Sequence, residues 1–268
     1  KPNICVLENV KFDADELAEY MGFVGRDLFT ATLQTTLRQF EEADNFGSLI
    51  RPDVTDVAEM FRTLEAKDVS GQLFLSETHK NVLQALRQVD YLNQKYHAVI
   101  ANPPYMGASN ANPRLKRFLS AEYPSGKADL MTGFILRARD LVYEKGFVAA
   151  VTLDSWMFLS SYQDFRDGLF KVGSISTLVH VGWNCFPDGH AYNRGVAFVF
   201  ENSIHKLVGQ FINLSNVDAT TDKHSLFFER LKLDQIHRIE TEAFETLPGQ
   251  PLAYWMSNSF RRAFEVFP

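Results

Sequence analysis

Short apolar runs of strand length alternate along the chain with stretches in which apolar residues recur at helical spacing. The short runs predict strands at 3–7, 98–101, 147–153, 175–181, 195–200 and 211–214. The helical spacing predicts helices at 15–20, 26–40, 54–64, 76–92, 130–142, 162–170 and 225–236. Buried strands that alternate with amphipathic helices are typical of an α/β sheet with helices on both faces. In such a sheet, ligands bind beyond the carboxyl ends of the strands.

Capping residues, loops and linkers between these elements predict how the chain is organised. Ser76 and Asp129 are the predicted N-caps of the helices that follow them. Residues 106–128 are polar and rich in Gly, Ser, Asn and Pro, which predicts a long loop of the kind that is usually functional or disordered. The Leu-Pro-Gly-Gln-Pro stretch near the end is typical of a linker. We therefore expect a main domain at 1–245 and a linker at 246–268.

Composition narrows the class of protein. The chain has 268 residues, of which 46% are hydrophobic and 22% charged, as in a folded globular protein. No apolar run approaches the ~20 residues of a membrane span, and the start has no signal-peptide pattern. The net charge of −6 disfavours a protein that coats nucleic acid. Cys5 and Cys185 lack metal-site spacing. We expect a cytoplasmic protein without a metal, and the first residue, which is not Met, suggests a piece of a longer chain.

The strongest chemical signal is Asn102-Pro103-Pro104-Tyr105, which follows the apolar run at 97–101. Two prolines hold two φ angles at about −65° and remove two backbone donors, so the local carbonyl groups have little freedom. The Asn102 side-chain oxygen and the Pro103 carbonyl can each accept one hydrogen from an exocyclic amino group. Tyr105 can stack on the planar group that carries the amine. The alternative is a turn that only ends a strand, with Tyr105 in the core.

This tetrapeptide at a strand end resembles the catalytic motif of amino-group methyltransferases, above all those acting on adenine in DNA. From about residue 44 to 255, the chain resembles adenine-specific methyltransferases of fused restriction-modification enzymes and, more closely, the PglX-like methyltransferases of phage-exclusion (BREX) systems. The resemblance implies a Rossmann-like sheet, S-adenosylmethionine as methyl donor and DNA with a flipped adenine as substrate. It also implies a role in phage defence, with other defence subunits as partners. Asn102, Pro103, Pro104 and Tyr105 are then the catalytic residues.

Other stretches carry the same resemblance. Residues 127–130 and 145–148 are similar to the two segments that follow the catalytic motif in the family, and 45–50 is similar to the segment that borders the cofactor's adenine. Phe186 lies where the family has an aromatic that covers the second face of the base. The resemblance therefore implies Phe186 as a substrate-binding partner of Tyr105, although a core position is the usual fate of phenylalanine. Surface or turn roles are expected for three nearby side chains: His190, Tyr192 and Arg194.

One part of the family pattern is missing. Methyltransferases of this class bind S-adenosylmethionine through a glycine-rich loop after the first strand, and no such element precedes the motif. The Gly-Phe-Val-Gly sequence at 22–25 follows helical sequence and does not qualify. We therefore expect a partial catalytic domain, incomplete at its N-terminal side, with a target-recognition domain missing beyond 246–268. Cofactor-binding residues stay unknown, and the chain alone is expected to bind the cofactor poorly and to be inactive.

Two alternatives remain open. The same motif occurs in methyltransferases that modify a glutamine side chain in release factors or an amino group in RNA, because both substrates present a planar nitrogen. The second alternative is a module that binds DNA without catalysis and has lost its cofactor site. The intact tetrapeptide disfavours that module, since a site that has lost catalysis does not require such an array of hydrogen-bond acceptors.

Basic residues follow the motif and extend the DNA hypothesis. They are Arg114, Lys116, Arg117 and Lys127, in the predicted loop. A loop beside a target base lies close to the phosphate backbone, where Lys and Arg bind. A solvated charged surface explains the same residues equally well.

Overall fold

The protein forms two compact units, Lys1–Lys95 and Tyr96–Pro268. A computed structural model describes residues 3–25, 28–52, 54, 56–69, 73–186, 193–203 and 207–266. The units divide after the first third of the chain, whereas the sequence pattern predicts a change only at 245. No helix in the described ranges is long and apolar enough to cross a membrane.

Unit 1 is helical. Its helices are α1 (Ala14–Val24), α2 (Leu28–Gln39), α3 (Ala43–Phe46), α4 (Val57–Glu65) and α5 (Leu73–Asn93), with short 3-10 turns at Phe40–Glu42 and Gly47–Leu49. They enclose a core that includes Leu17, Tyr20, Leu37, Phe40 and Leu86. The four helices predicted in this region are confirmed, with shifted ends.

Two predictions for unit 1 are wrong. Residues 3–7 form no strand: Ile4 and Val6 are 71% and 70% exposed, and this segment has no ladder partner in the described ranges. An apolar run becomes a strand only when another strand pairs with it. Helix α5 already begins at Leu73, so Ser76 lies inside the helix and is not its N-cap.

Unit 2 is built on one six-stranded sheet. Its elements are β1 (Tyr96–Ala101), α6 (Pro113–Glu122), α7 (Leu130–Leu141), β2 (Val142–Leu153), α8 (Gln163–Phe170), β3 (Ser174–Gly182), β4 (Gly195–Glu201), β5 (Val208–Asn213), α9 (Lys223–Lys232), β6 (His237–Glu240) and α10 (Asn258–Val266). Short 3-10 turns occur at Pro124–Gly126, Asp154–Met157, Ser160–Tyr162 and Thr241–Phe244. The predicted α/β sheet is confirmed, and the strands come in the order β1-β2-β4-β3-β5-β6.

The strand directions define where a ligand can bind. Strands β1 and β2 are parallel, as are β3 and β5, while β4 runs antiparallel to both β2 and β3. The ends of β1, β2, β3 and β5 therefore meet at one edge of the sheet, which we call the carboxyl edge. The start of β4 lies at the same edge. Side chains just after the four strands and just before β4 are thus brought together.

Both faces of the sheet are apolar. On one face, Val148, Leu178 and Phe198 are buried. The ring of Trp156 contacts Phe198 on that face and Phe165 of α8, with ring centres 5.3 and 5.7 Å away. The opposite face forms an open groove of about 240 Å³ whose lining includes Ile100, Val151, Val179 and Val199.

The predicted loop at 106–128 contains a helix, so that prediction is wrong over α6. Asn112 caps the helix, because its side-chain oxygen accepts hydrogen bonds from the backbone N–H groups of Arg114 (3.0 Å) and Leu115 (2.9 Å). Pro113 occupies the first helical position, where a missing N–H group is harmless. Leu115 and Leu119, four residues apart, bury one face of the helix. Glycine, serine and asparagine around this short helix obscure its pattern.

The end of the chain also belongs to unit 2. Arg166 donates a hydrogen bond to the Gly249 carbonyl (2.5 Å), and the Leu252 N–H group donates to the Met157 carbonyl (2.9 Å). Leu252 and Tyr254 are fully buried. The first residues of the predicted linker are therefore packed structure. A recognition domain beyond them stays a prediction.

Asp129 joins the segment after the motif to helix α7. Its carboxylate accepts hydrogen bonds from the N–H groups of Met131 (2.9 Å) and Met106 (3.3 Å), which confirms the predicted N-cap. The N–H group of Leu130 also donates to the Met106 carbonyl at 2.9 Å. Burial raises the pKa of Asp129, while its two backbone hydrogen bonds act in the opposite direction. The residue just after the motif is thereby held against the start of α7.

Asp129→Ala should lower the free energy of unfolding by about 1–2 kcal/mol, because two backbone donors lose their acceptor. Asp129→Asn should lower it less at acid pH, since the amide oxygen still accepts. The raised pKa makes ionised Asp129 unfavourable in the folded state, so wild-type stability falls relative to Asp129→Asn as pH rises through that pKa. Urea unfolding of the three proteins at acid and neutral pH measures these differences. Equal stability of Asp129→Ala and wild type would contradict the capping role.

Candidate active site

The predicted motif lies at the carboxyl edge, directly after β1. The Asn102 side chain is exposed, Pro103 is buried and Tyr105 is half-buried. Burial of Pro103 between an exposed asparagine and an exposed proline holds the turn in place while the amide faces outward. The alternative in which Tyr105 only fills a core therefore does not describe this turn.

A hydrogen bond inside the motif orients the asparagine. The Tyr105 hydroxyl lies 2.5 Å from the Asn102 Oδ1 atom, to which it donates, and 3.1 Å from the carbonyl oxygen of Val151 in β2. Burial raises the pKa of Tyr105 to about 12, with Cys185 acting in the same direction. The phenol therefore stays protonated near neutral pH. An amide oxygen has two lone pairs, so Oδ1 retains one for a ligand. Sequence reasoning assigned Tyr105 to stacking and missed this hydrogen bond.

The structure brings Phe186 to Tyr105. Their ring centres are 5.7 Å apart and their planes are inclined by 40°. A flat base between two rings needs a separation of ~7 Å, twice the carbon–carbon contact distance. A stacked base therefore requires the rings to move apart by roughly 1 Å and become parallel. Residues 187–192, which include His190 and Tyr192, lie outside the described residues.

Cys185, the residue before Phe186, packs against the sheet at the start of β4. A Cβ atom placed on Gly195, the first residue of β4, would come within 2.2 Å of the Cys185 sulfur. Only glycine leaves room for this contact. Burial raises the pKa of the Cys185 thiol, and Lys223 opposes the shift in part. Cys185 therefore acts as a packed neutral group beside the ring pair.

A buried carboxylate lies next to the motif and was not predicted. Asp154 follows β2, and its Oδ2 atom is 2.8 Å from both the Arg194 Nε atom and the His180 Nε2 atom. The other His180 ring nitrogen is 3.0 Å from the Tyr254 hydroxyl. Arg194, expected in a surface or turn role, thus pairs with a carboxylate that is only 7% exposed. The available signal was the position of Asp154 at the end of an apolar strand.

This network positions groups and does not form a nucleophile. Ser215 lies 3.3 Å from His180, so the order Ser215, His180, Asp154 resembles a hydrolytic triad. The Ser215 hydroxyl, however, donates to the Asn213 side-chain oxygen at 2.8 Å, and the Tyr254 hydroxyl is the closer partner of His180. His180 is also 98% buried, which leaves no access for a substrate carbonyl.

The predicted basic residues lie on and around α6. Arg114, Lys116 and Arg117 are exposed on that helix, and Lys127 is exposed near the start of α7. The Lys116 ammonium donates to the Ser109 carbonyl at 3.1 Å. Lys116 and Lys127 both line a cavity of about 460 Å³. A contact of these residues with phosphates stays a prediction.

The segments that the sequence analysis related to the cofactor lie in unit 1. The segment 45–50, which resembles the border of the cofactor's adenine, forms α3 and a 3-10 turn in unit 1. Gly22 and Gly25 lie in and just after α1, so they follow a helix as expected. Within the described part of the chain, no strand precedes β1 and none ends in a glycine-rich loop. The same part contains no group of three His, Cys, Asp or Glu side chains able to hold a metal.

The sequence of the chain is similar to those of known proteins. An adenine-specific methyltransferase named BrxX from Escherichia coli O9:H4 (strain HS) is 32% identical over 243 residues, covering 88% of this chain and 20% of that protein. One named PglX from Lacticaseibacillus casei (strain Zhang) is 28% identical over 254 residues, covering 90% of this chain and 21% of that protein. The chain thus spans about a fifth of the length of these curated relatives.

Solved structures match only distantly. A DrdV–DNA complex shares 22% identity over 74% of this chain and 21% of that one, with a TM-score of 0.45, too low to weigh in the assignment. The family described as Eco57I restriction-modification methylase matches residues 27–186, which begin in unit 1 and run through the motif to Phe186. With the motif at a strand end and its aromatic partner inside that match, the chain belongs to the Eco57I restriction-modification methylase family.

Proposed function

We propose that the complete protein containing this chain transfers a methyl group from S-adenosylmethionine to the exocyclic amino group of adenine in DNA. This chain presents the target base. The observation that carries the proposal is the exposed Asn102 amide, oriented by Tyr105 and placed beside the Tyr105–Phe186 ring pair. Two relatives named adenine-specific methyltransferases support the same substrate.

The motif would act by holding the amine. The free lone pair of Asn102 Oδ1 and the Pro103 carbonyl each accept one amino hydrogen, which turns the nitrogen lone pair away from the ring. Asn102 takes no proton before attack, because an amide is not a base near neutral pH. Its oxygen stabilises the positive charge that develops on the nitrogen. The ring pair fixes the base by stacking, which requires the base to leave the duplex.

S-adenosylmethionine, the cofactor that the family implies, would supply the methyl group. The residues described here do not offer the glycine-rich turn that holds its adenosine and carboxylate ends. The role of this chain is therefore to bind, orient and desolvate the acceptor. The parts that bind the donor would come from elsewhere in the complete protein.

The ring pair favours a nucleobase over a glutamine side chain. Once the Tyr105 and Phe186 rings, which are 5.7 Å apart, separate by roughly 1 Å and become parallel, they would stack on both sides of a flat ring, and stacking on an aromatic side chain contributes about 1–3 kcal/mol per base. A glutamine amide has no ring to stack between them. The names of the two relatives support adenine as the base. DNA is favoured over RNA by the family description, because restriction-modification acts on DNA.

Asn102→Ala in the complete protein should lower kcat for methyl transfer to duplex DNA by about 100- to 1,000-fold, the usual effect of losing one preorganised charge-stabilising group. Transfer of labelled methyl groups, with adenine and cytosine separated after digestion, provides the measurement. Asn202→Ala is the matched control, because Asn202 lies just after β4 at the opposite edge of the sheet. Label found in release factor or RNA and not in DNA would overturn the proposed substrate.

Tyr105→Phe should lower kcat by about two- to tenfold, because the ring remains but Asn102 loses the hydrogen bond that orients it. Tyr105→Ala should also raise KM, since it removes one stacking face. Steady-state kinetics on the same DNA separates the two effects. Tyr143→Phe, at the opposite end of β2, controls for loss of a tyrosine hydroxyl. An unchanged kcat in Tyr105→Phe would show that the hydroxyl does not orient the amide.

The chain by itself should show no micromolar binding of S-adenosylmethionine, because its described residues lack a cofactor-binding turn. Titration calorimetry on the folded chain, with circular dichroism to verify folding, measures this directly. The complete protein serves as the positive control. Micromolar binding by the chain alone would contradict the prediction and would mean that the donor site lies within these residues.

A further inference from the structure

We propose that Arg194 binds a phosphate group of the DNA strand that carries the target adenine. The inference rests on the proposed function and names one contact of the same site with its substrate. Arg194 immediately precedes β4 at the carboxyl edge. Its neighbour Gly195 packs against Cys185, the residue before Phe186. The backbone at Arg194 therefore adjoins the segment that carries Phe186, and the guanidinium lies over the ring of Trp183, three residues before Phe186.

The base of the Arg194 side chain is anchored. Its Nε atom donates to Asp154 at 2.8 Å, and the Asp154 N–H group donates to the Arg194 carbonyl at 3.0 Å. Asp154 is itself fixed by buried His180. Both ends of the pair are thus held by hydrogen bonds to the sheet edge. A guanidinium held through Nε keeps its outer N–H groups in a defined direction.

The outer part of the guanidinium is available to an anion. The Arg194 Cζ atom lies 5.3 Å from the centre of the Trp183 ring, whose residue is 38% exposed, and the Arg194 side chain is 35% exposed. Stacking covers one face of the guanidinium and leaves its edge open. Among residues that the structure describes, neither Nη1 nor Nη2 has a hydrogen-bond partner. Two parallel N–H groups on one edge match the geometry of a phosphate.

The surroundings of Arg194 carry additional positive charge. The Lys223 ammonium, which donates to the carbonyls of Val181 and Trp183, also faces this edge. Burial lowers the pKa of Lys223, and the charge of Arg194 acts in the same direction. Among the described residues, the buried carboxylate of Asp154 pairs with Arg194 and the charge of Lys223 is additional, so these groups together favour an anion on a chain with a net charge of −6. Next to a stacked base, that anion is a phosphate of the same strand.

The test measures binding of a fluorescein-labelled DNA duplex with one unpaired adenine, at several salt concentrations, by the complete protein. Each phosphate contact contributes about 0.9 to the slope of log K against log salt. Arg194→Gln should therefore lower the magnitude of the slope by about one and weaken binding. Arg139→Gln is the control: it removes the same charge from an Arg–Asp pair at the end of α7, before β2, and should leave the slope unchanged.

A second variant covers the case in which Arg194→Gln fails to fold. Trp183→Leu changes an exposed side chain and removes the stacking face, and it should weaken binding about two- to fivefold at fixed salt. A purely structural ion pair would alter thermal stability and leave the salt slope untouched. An unchanged slope in folded Arg194→Gln, unchanged affinity in Trp183→Leu, or no binding by the unaltered protein at low salt would each overturn the inference.

The same experiment separates this inference from the proposed function. A duplex in which an abasic site replaces the unpaired adenine reports on the base pocket, because only the pocket distinguishes the two duplexes. Equal affinity for both duplexes, together with a smaller slope in Arg194→Gln, would contradict the base pocket and support the phosphate contact. Tighter binding of the duplex with adenine, together with an unchanged slope in Arg194→Gln, would support the base pocket and contradict the phosphate contact.

Discussion

The parallel pairing of β1 with β2 is the constraint on which the candidate site depends. Ala101 pairs with Ala150, so Asn102, the first residue after β1, lies beside the part of β2 at Val151, which remains paired with Ala197 of β4. The Val151 carbonyl then meets the Tyr105 hydroxyl. Three residues beyond Val151, just after the end of β2, Asp154 begins the network that holds Arg194. One register between two strands thus places the amide, the phenol and the carboxylate.

The sequence predicted the strands that carry the site and failed where local pattern is weak. Continuous apolar runs located β3, β4 and the second half of β2, because these strands lie in the middle of the sheet. The apolar run also located β1, although β1 is an edge strand in which Ile100 is 82% exposed. Strand β6 was missed, since its exposed positions Arg238 and Glu240 alternate with only partly buried ones. Helix α10 was missed because it lies in the stretch at 246–268 that was predicted to be a linker. The apolar run at 3–7 was wrongly predicted as a strand, because none of the described strands pairs with it.

The candidate site was predicted only as far as its residues are adjacent in sequence or match a family pattern. The motif and Phe186 were named from sequence, and the structure brings Tyr105 and Phe186 into ring contact. The Asp154–Arg194 pair spans 40 residues and His180 lies in a different strand, so no local spacing reveals them. Only the folded sheet brings such groups together.

The contact between Cys185 and Gly195 makes two distant positions dependent on each other. With a Cβ atom at 195, the sulfur and the Cβ atom of Cys185, at 2.2 and 2.4 Å, would both have to move to regain an ordinary contact distance, and the segment that carries Phe186 would move with them. Without such a shift, a larger residue at 195 is tolerable only with glycine at 185. In related proteins, a side chain at the position of Gly195 should therefore accompany a glycine at the position of Cys185, which leaves the segment before the aromatic packed against the start of its strand.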